Sequence, residues 1–261
     1  MLTESQRERI NVVLVSPRNP LNIGAVARAM ANFGFMRMSV VAPYEPHWRE
    51  ARSAVGAPQL LNDAQETASL AEAIRDCSLV LGTGTLTHRK AEQPVAPLDK
   101  LAPVVTESLE RGERIAIVFG PEKHGLTRED LSYCHILVEI PTDARQPSMN
   151  LGQAAAVCLY DLATRGGPSI TESGTAEDRL DPASKTPNAS KPSPTSANLD
   201  ILSGLIEEVM VAAKYSPHTM QEANRHDLRV ILRRMNLNAA DSRRALGLFR
   251  RILRRLRIPR S

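Results

Sequence analysis

Three short segments, far apart in the chain, hold the side chains best suited to chemistry. The first, Asn19-Pro-Leu-Asn-Ile-Gly-Ala-Val-Ala-Arg28, carries Asn22, Gly24 and Arg28. The second, Val118-Phe-Gly-Pro-Glu-Lys-His-Gly-Leu126, sets Glu122 and His124 between Gly120 and Gly125. The third, Ile140-Pro-Thr-Asp-Ala-Arg-Gln-Pro-Ser-Met-Asn-Leu151, places Ser148, Met149 and Asn150 at the start of a helical pattern. Glycines permit close backbone approach and prolines fix turns, so such segments can present main-chain groups to a ligand. Asn22 and Asn150 are each positioned to cap a following helix, and Arg28 brings a permanent cation. Nucleotide cofactors of the dinucleotide type are excluded. Gly82-Thr-Gly-Thr-Leu-Thr87 follows a strand but lacks the third glycine and the later acidic residue that such a site needs.

The elements that position these turns can be read from hydrophobic pattern. Val12–Val15, Ser39–Ala42, Leu79–Leu81, Ile115–Phe119 and Ile136–Val138 are strand candidates without clean alternation, as expected when both faces are buried. Helical patterns run near Asn22–Phe33, Ser69–Asp76, Lys100–Arg111, Thr127–Tyr133 and Leu151–Arg165. Strands alternating with helices predict an α/β domain with a mostly parallel sheet, and the three chemical segments then lie at strand ends, where open sheets bind ligands. Between Gly166 and Asn198 the pattern stops: five prolines, six serines, three glycines and four threonines fill 33 residues. That composition predicts a flexible linker over 166–198. Leu199–Lys214, Met220–Met235 and Asn238–Leu256 then predict three helices, whose small core is expected to pair with another subunit or dock on residues 1–165.

Taken in order, the three segments resemble the motifs of the TrmH-like branch of the SPOUT RNA methyltransferases, over roughly residues 10–165. The resemblance implies a sheet closed by a deep trefoil knot, an exception to the rule against threaded chains. It implies that S-adenosylmethionine is held by Thr83, Gly84 and Thr85, by the turn from Gly120 to Gly125, and by Ile140, Ser148, Met149 and Asn150. It further implies methyl transfer to a ribose 2′-hydroxyl, with Arg28, Asn22, Glu122, Ser148 and Asn150 at the catalytic centre, and a homodimer; the histidines other than His124 show no metal-ligand spacing, so no metal is expected. Glu122 would orient Arg28 or the ribose. The arginine is cast in the family as general base. A guanidinium pKa above about 12 favours instead an electrostatic anchor for the developing alkoxide and a phosphate. The C-terminal extension resembles the TrmJ type, which methylates nucleotide 32 of the tRNA anticodon loop. A ribosomal-RNA methyltransferase and a non-catalytic RNA-binding module are the alternatives.

Bulk properties agree with an RNA partner. Residues 225–260 contain twelve arginines against Asp227 and Asp241, a balance of +10, so the rest of a chain with net charge +4 carries −6. An all-arginine block suits phosphate contact. Aromatic residues make up only 3% of the chain, so base stacking cannot be the main mode of binding. Trp48, beside His47 and Arg49, is a candidate for RNA contact or for packing at a domain edge. Three scattered cysteines form no Cys-x-x-Cys pair, and the polar N-terminus has no secretory character. The expectation is a cytoplasmic protein.

Overall fold

Apolar residues fill Ile10–Val15 (β1) apart from Asn11, and all six are buried. A strand covered on both faces belongs inside a parallel sheet, and β1 lies near its centre. The computed structural model describes residues 1–84, 91–165, 191–215 and 217–257. A short helix, α1 (Glu4–Arg7), precedes β1. There follow α2 (Pro20–Phe33), β2 (Arg37–Val41), α3 (Pro58–Asp63), β3 (Gln65–Thr67), α4 (Leu70–Ala73) and β4 (Leu79–Thr83). Next come β5 (Val95–Pro97), α5 (Leu101–Glu110), β6 (Ile115–Phe119), α6 (Arg128–Ser132), β7 (Ile136–Glu139) and α7 (Leu151–Arg165). The chain continues through α8 (Ser196–Ala212), α9 (Gln221–Arg234) and α10 (Ala239–Leu256).

The strands pair in parallel throughout, in the order β3-β2-β1-β6-β4-β7-β5. This is the expected α/β sheet, widened by two strands. β3 and β5 escape sequence pattern because they are three-residue edges, Gln-Glu-Thr and Val-Ala-Pro, with few buried side chains. Proline on an edge strand costs no ladder bond that the sheet needs. Ile10, Val12 and Leu14 pack toward α2, α5 and α7, while Val13 and Val15 face a second layer with Leu70, Ile74 and Cys134.

Helix α2 begins one turn earlier than its apolar pattern. Asn19, not Asn22, is the cap, its side chain accepting from the Leu21 amide at 2.9 Å with Pro20 at the first helical position. Such a cap is worth about 1 kcal/mol. Asn22 is thereby released for another role. Gly24 does serve close packing: a Cβ there would sit 2.2 Å from Ser53 Oγ. The α2–α7 contact is similarly close, since a Cβ on Gly152 would lie 2.7 Å from that of Ala25.

Most of the expected linker, 166–190, lies outside the described residues. Its last part packs on the body. Ser193 N donates to Glu113 at 2.8 Å, and Ser196, fully buried, donates its amide and hydroxyl to the Cys77 carbonyl. Thr195 caps α8, which therefore starts inside the span whose composition suggested linker. The three C-terminal helices share a small core of Leu199, Leu202, Leu232 and Leu246. Docking on the main body comes through α9: Arg233 donates to the Tyr133 carbonyl at 2.9 Å, and His226 meets Glu92 at 3.2 Å.

Candidate active site at the strand ends

Strands β1, β6, β4 and β7 are consecutive in the sheet, so the turns that follow them are neighbours in space although 140 and 19 are far apart in sequence. The turns after β4, β6 and β7 enclose a cavity of ≈ 450 Å³. Thr83, Gly84, Gly120, Glu122, Gly125, Ile140, Ser148 and Met149 line it, whereas Asn150, expected beside them, is not among the lining residues. Thr85 lies outside the described residues. Apolar walls from Phe119, Pro141 and Leu151 alternate with the polar groups of Glu122, Lys123, His124 and Glu139.

Each turn is held open by local bonds. A Cβ at Gly120 would come within 2.2 Å of the Leu126 nitrogen, so only glycine allows the 120–125 turn to close on itself. Gly125 closes it in a left-handed conformation, φ +63°. The third turn is braced by Thr142 Oγ1 donating to the Pro147 carbonyl and by an exposed Asp143–Arg145 ion pair at 2.9 Å. Thr83 donates its hydroxyl to the Val118 carbonyl, which ties β4 to β6 at the cavity floor.

One hydrogen-bond chain joins all three motifs. Glu122 accepts from the Arg18 and Asn19 amides, both at 3.1 Å, and from Asn22 Nδ2 at 2.9 Å. Asn22 Oδ1 in turn accepts from Asn150 Nδ2 at 3.0 Å. Asn150 Oδ1 accepts from the Gly152 amide, capping α7 as its position predicts. Partial burial alone would raise the Glu122 pKa. The Asn22 side chain and the surrounding amides outweigh it and hold the carboxyl below the usual range, so it is an anion at neutral pH.

Arg28 is not part of this chain. It projects from the exposed side of α2, outside the cavity wall, and has no ion-pair partner among the described residues. Of the two roles expected for Glu122, orienting Arg28 finds no contact here, because the carboxylate is occupied by the start of α2; orienting the ribose is left open. Trp48 takes the packing alternative over RNA contact in the structure. It is fully buried, with its indole donating to Glu66 at 3.1 Å, and offers no surface to a base. The cysteines are excluded as nucleophiles, because burial pushes Cys77, Cys134 and Cys158 up to about 12. Sequence reading missed Arg18 and Asn19 as partners of Glu122; the Pro-Arg-Asn-Pro run before the helix was the available signal.

Comparison with known proteins agrees with this layout. A family model described as the SpoU rRNA Methylase family matches residues 9–160. The Pseudomonas aeruginosa protein named tRNA (cytidine/uridine/adenosine-2′-O-)-methyltransferase TrmJ is 39% identical over 171 residues. That match covers 63% of this chain and 66% of the relative, a little less than two thirds of its length. The Salmonella typhimurium tRNA (cytidine/uridine-2′-O-)-methyltransferase TrmJ is 29% identical over 249 residues, covering 94% of this chain and 95% of that protein. The crystal structure of TrmJ from Z. mobilis superposes with a TM-score of 0.76 at 25% identity, over 93% of this chain and 98% of that one. The likeness thus includes the C-terminal helices.

Proposed function

We propose the function from one premise: this chain belongs to the SpoU rRNA Methylase family, whose model covers more than half of it. The activity is S-adenosylmethionine-dependent methylation of an RNA ribose 2′-hydroxyl, with tRNA as substrate and anticodon-loop nucleotide 32 as the target. The observation that carries this is the meeting of three separate motifs around one cavity, joined through Glu122, Asn22 and Asn150.

The cavity suits the cofactor. A Cβ at Gly84 would point into open space, so its absence widens the wall rather than relieving a clash. Main chain from three turns is available to an adenine edge, and Phe119, Ile140 and Met149 supply apolar cover. When bound, S-adenosylmethionine supplies an electrophilic methyl group on a sulfonium centre. Glu122 holds the entrance of α2 against the cavity, and Asn150 holds the third turn to the same point. Positioning of this kind is worth several kcal/mol in a displacement that needs reacting atoms about 3 Å apart. The Arg28 guanidinium, without an ion-pair partner among the described residues, anchors a substrate phosphate and the oxygen that gains charge. Homodimer formation is part of this reading.

Transfer of label from S-adenosylmethionine to tRNA lacking modifications, followed by mapping of the methylated ribose, tests the proposal. Methylation at nucleotide 32 that disappears in Arg28→Ala supports it. The family description keeps ribosomal RNA in play, and transfer to rRNA alone would replace the substrate while keeping the chemistry. Transfer to neither overturns the enzymatic reading.

A further inference from the structure

Two adjacent strands end in the same unusual way. Ser16, just past β1, has φ +44°, and Ala42, just past β2, has φ +42°. Neither is glycine, and a left-handed conformation at such residues is strained and tends to accompany function. Each turn directs the next residues off the sheet edge: Pro17 and Arg18 in one case, Pro43 and Tyr44 in the other. The two turns are bonded together, with the Ser16 amide donating to the Val41 carbonyl at 2.8 Å and the Tyr44 amide to the Pro17 carbonyl at 3.2 Å. At their tip the Arg18 guanidinium lies over the Tyr44 ring, 5.6 Å from its centroid.

This pair is exposed and uncommitted. Tyr44 is 69% exposed, against full burial for Trp48, Phe35 and Phe119. Arg18 is exposed and has no carboxylate partner among the described residues. Its position is nonetheless fixed, since the Arg18 amide donates to Glu122, a residue of the cavity wall, at 3.1 Å. An aromatic ring and a guanidinium with no carboxylate partner among the described residues, linked to the cavity wall through the Arg18 amide, match an unstacked nucleotide: a base stacks on the ring, and the guanidinium takes the adjoining phosphate. A chain with so few aromatic residues cannot stack many bases, but one platform beside the reacting ribose needs only one ring.

We propose that Arg18 and Tyr44 form a nucleotide clamp that holds the RNA residue flanking the methylated one. The proposal rests on the RNA methyl-transfer reading above and extends it to the substrate.

The test uses the full-length protein, S-adenosylmethionine and unmodified tRNA, with Tyr44→Ala, Tyr44→Phe and Arg18→Gln. Tyr44→Ala is expected to raise KM for tRNA about five- to hundredfold, with Tyr44→Phe close to wild type because the ring remains. Arg18→Gln should also raise KM and make the log–log salt dependence of tRNA binding shallower by about one. Cofactor affinity, measured by calorimetry without RNA, should be unchanged in all three. Unchanged KM in Tyr44→Ala and Arg18→Gln, with an active wild type, overturns the clamp alone. Weakened cofactor binding in either would assign the pair to the cofactor pocket and also overturn it. An inactive wild type would instead remove the reading on which the clamp rests.

Discussion

Helices α9 and α10 carry the same residue type to opposite ends. In α9, Arg225 pairs with Glu207, and Arg229 pairs with Glu129 while lying 4.4 Å over the Tyr133 ring. Arg233 has no side-chain exposure and donates to Tyr133 O and to Asp200, both at 2.9 Å. In α10, Arg243, Arg250, Arg251, Arg254 and Arg255 are exposed without an ion-pair partner among the described residues. Arg244, and Arg257 at the C-cap of α10, reach carboxylates, Asp241 and Glu208. In the first set, Arg229 and Arg233 fasten the C-terminal helices to the sheet domain, and Arg225 ties α9 to α8. The second faces solvent and is the part available to a polyanion. A run of like charge in sequence therefore conflates two physical roles, and burial separates them.

The largest effect should come from breaking the fastening. Arg233→Ala leaves Asp200 and the half-buried Tyr133 carbonyl without their donor and should lower stability by about 3 kcal/mol, read as a fall in the urea midpoint. A change under about 0.5 kcal/mol, typical of surface sites, would mean that apolar packing alone docks α9. The opposite pattern is expected for α10. Replacing Arg250, Arg251, Arg254 and Arg255 together by Gln should leave the midpoint nearly unchanged. It should weaken tRNA binding about ten- to hundredfold at physiological salt, with a salt slope shallower by up to about four. Loss of fold instead would erase the distinction between the two helices.

A smaller effect sharpens the comparison through pH. His135 Nδ1 accepts from the Val80 amide at 3.1 Å, and burial, with the nearby Arg233 charge, pushes its pKa down to about 3. The folded state keeps this imidazole neutral, whereas the unfolded chain protonates it near 6.5. Its contribution is thus complete above about pH 6.5 and is lost as pH falls toward 3. Urea midpoints between pH 7 and 5 should decline in the wild type. The decline should be weaker in His135→Gln and also in Arg233→Gln, which removes one source of the depression. Equal slopes in all three would show that His135 is not linked to folding.

Much of the site was legible because its signals are local. Glycine, proline and capping residues act within a few positions, so the turns at 120–125 and 140–150 could be located from residue types. Gly24 and Asn150 serve as their neighbours suggest. Other features depended on partners far away. Asn22 looked like a cap until Asn19 was seen to fill that role, and its true partners, Glu122 and Asn150, are 100 and 128 positions distant. β3 and β5 were invisible because an edge strand needs no apolar run. Trp48 gave no hint that Glu66 would accept a hydrogen bond from its indole.

By itself the sequence determined where strands, helices and polar turns occur, that the chain can build a parallel α/β sheet, and that it carries a concentrated arginine block. Those follow from periodicity and local backbone preference, which act over a few residues. Only the tertiary structure decided that β1, β6, β4 and β7 lie side by side, that Glu122 binds the start of α2 rather than Arg28, and which arginines remain free. Hydrogen bonds and ion pairs act over about 3 to 4 Å, so strand order and helix docking choose the partners that spacing along the chain leaves open.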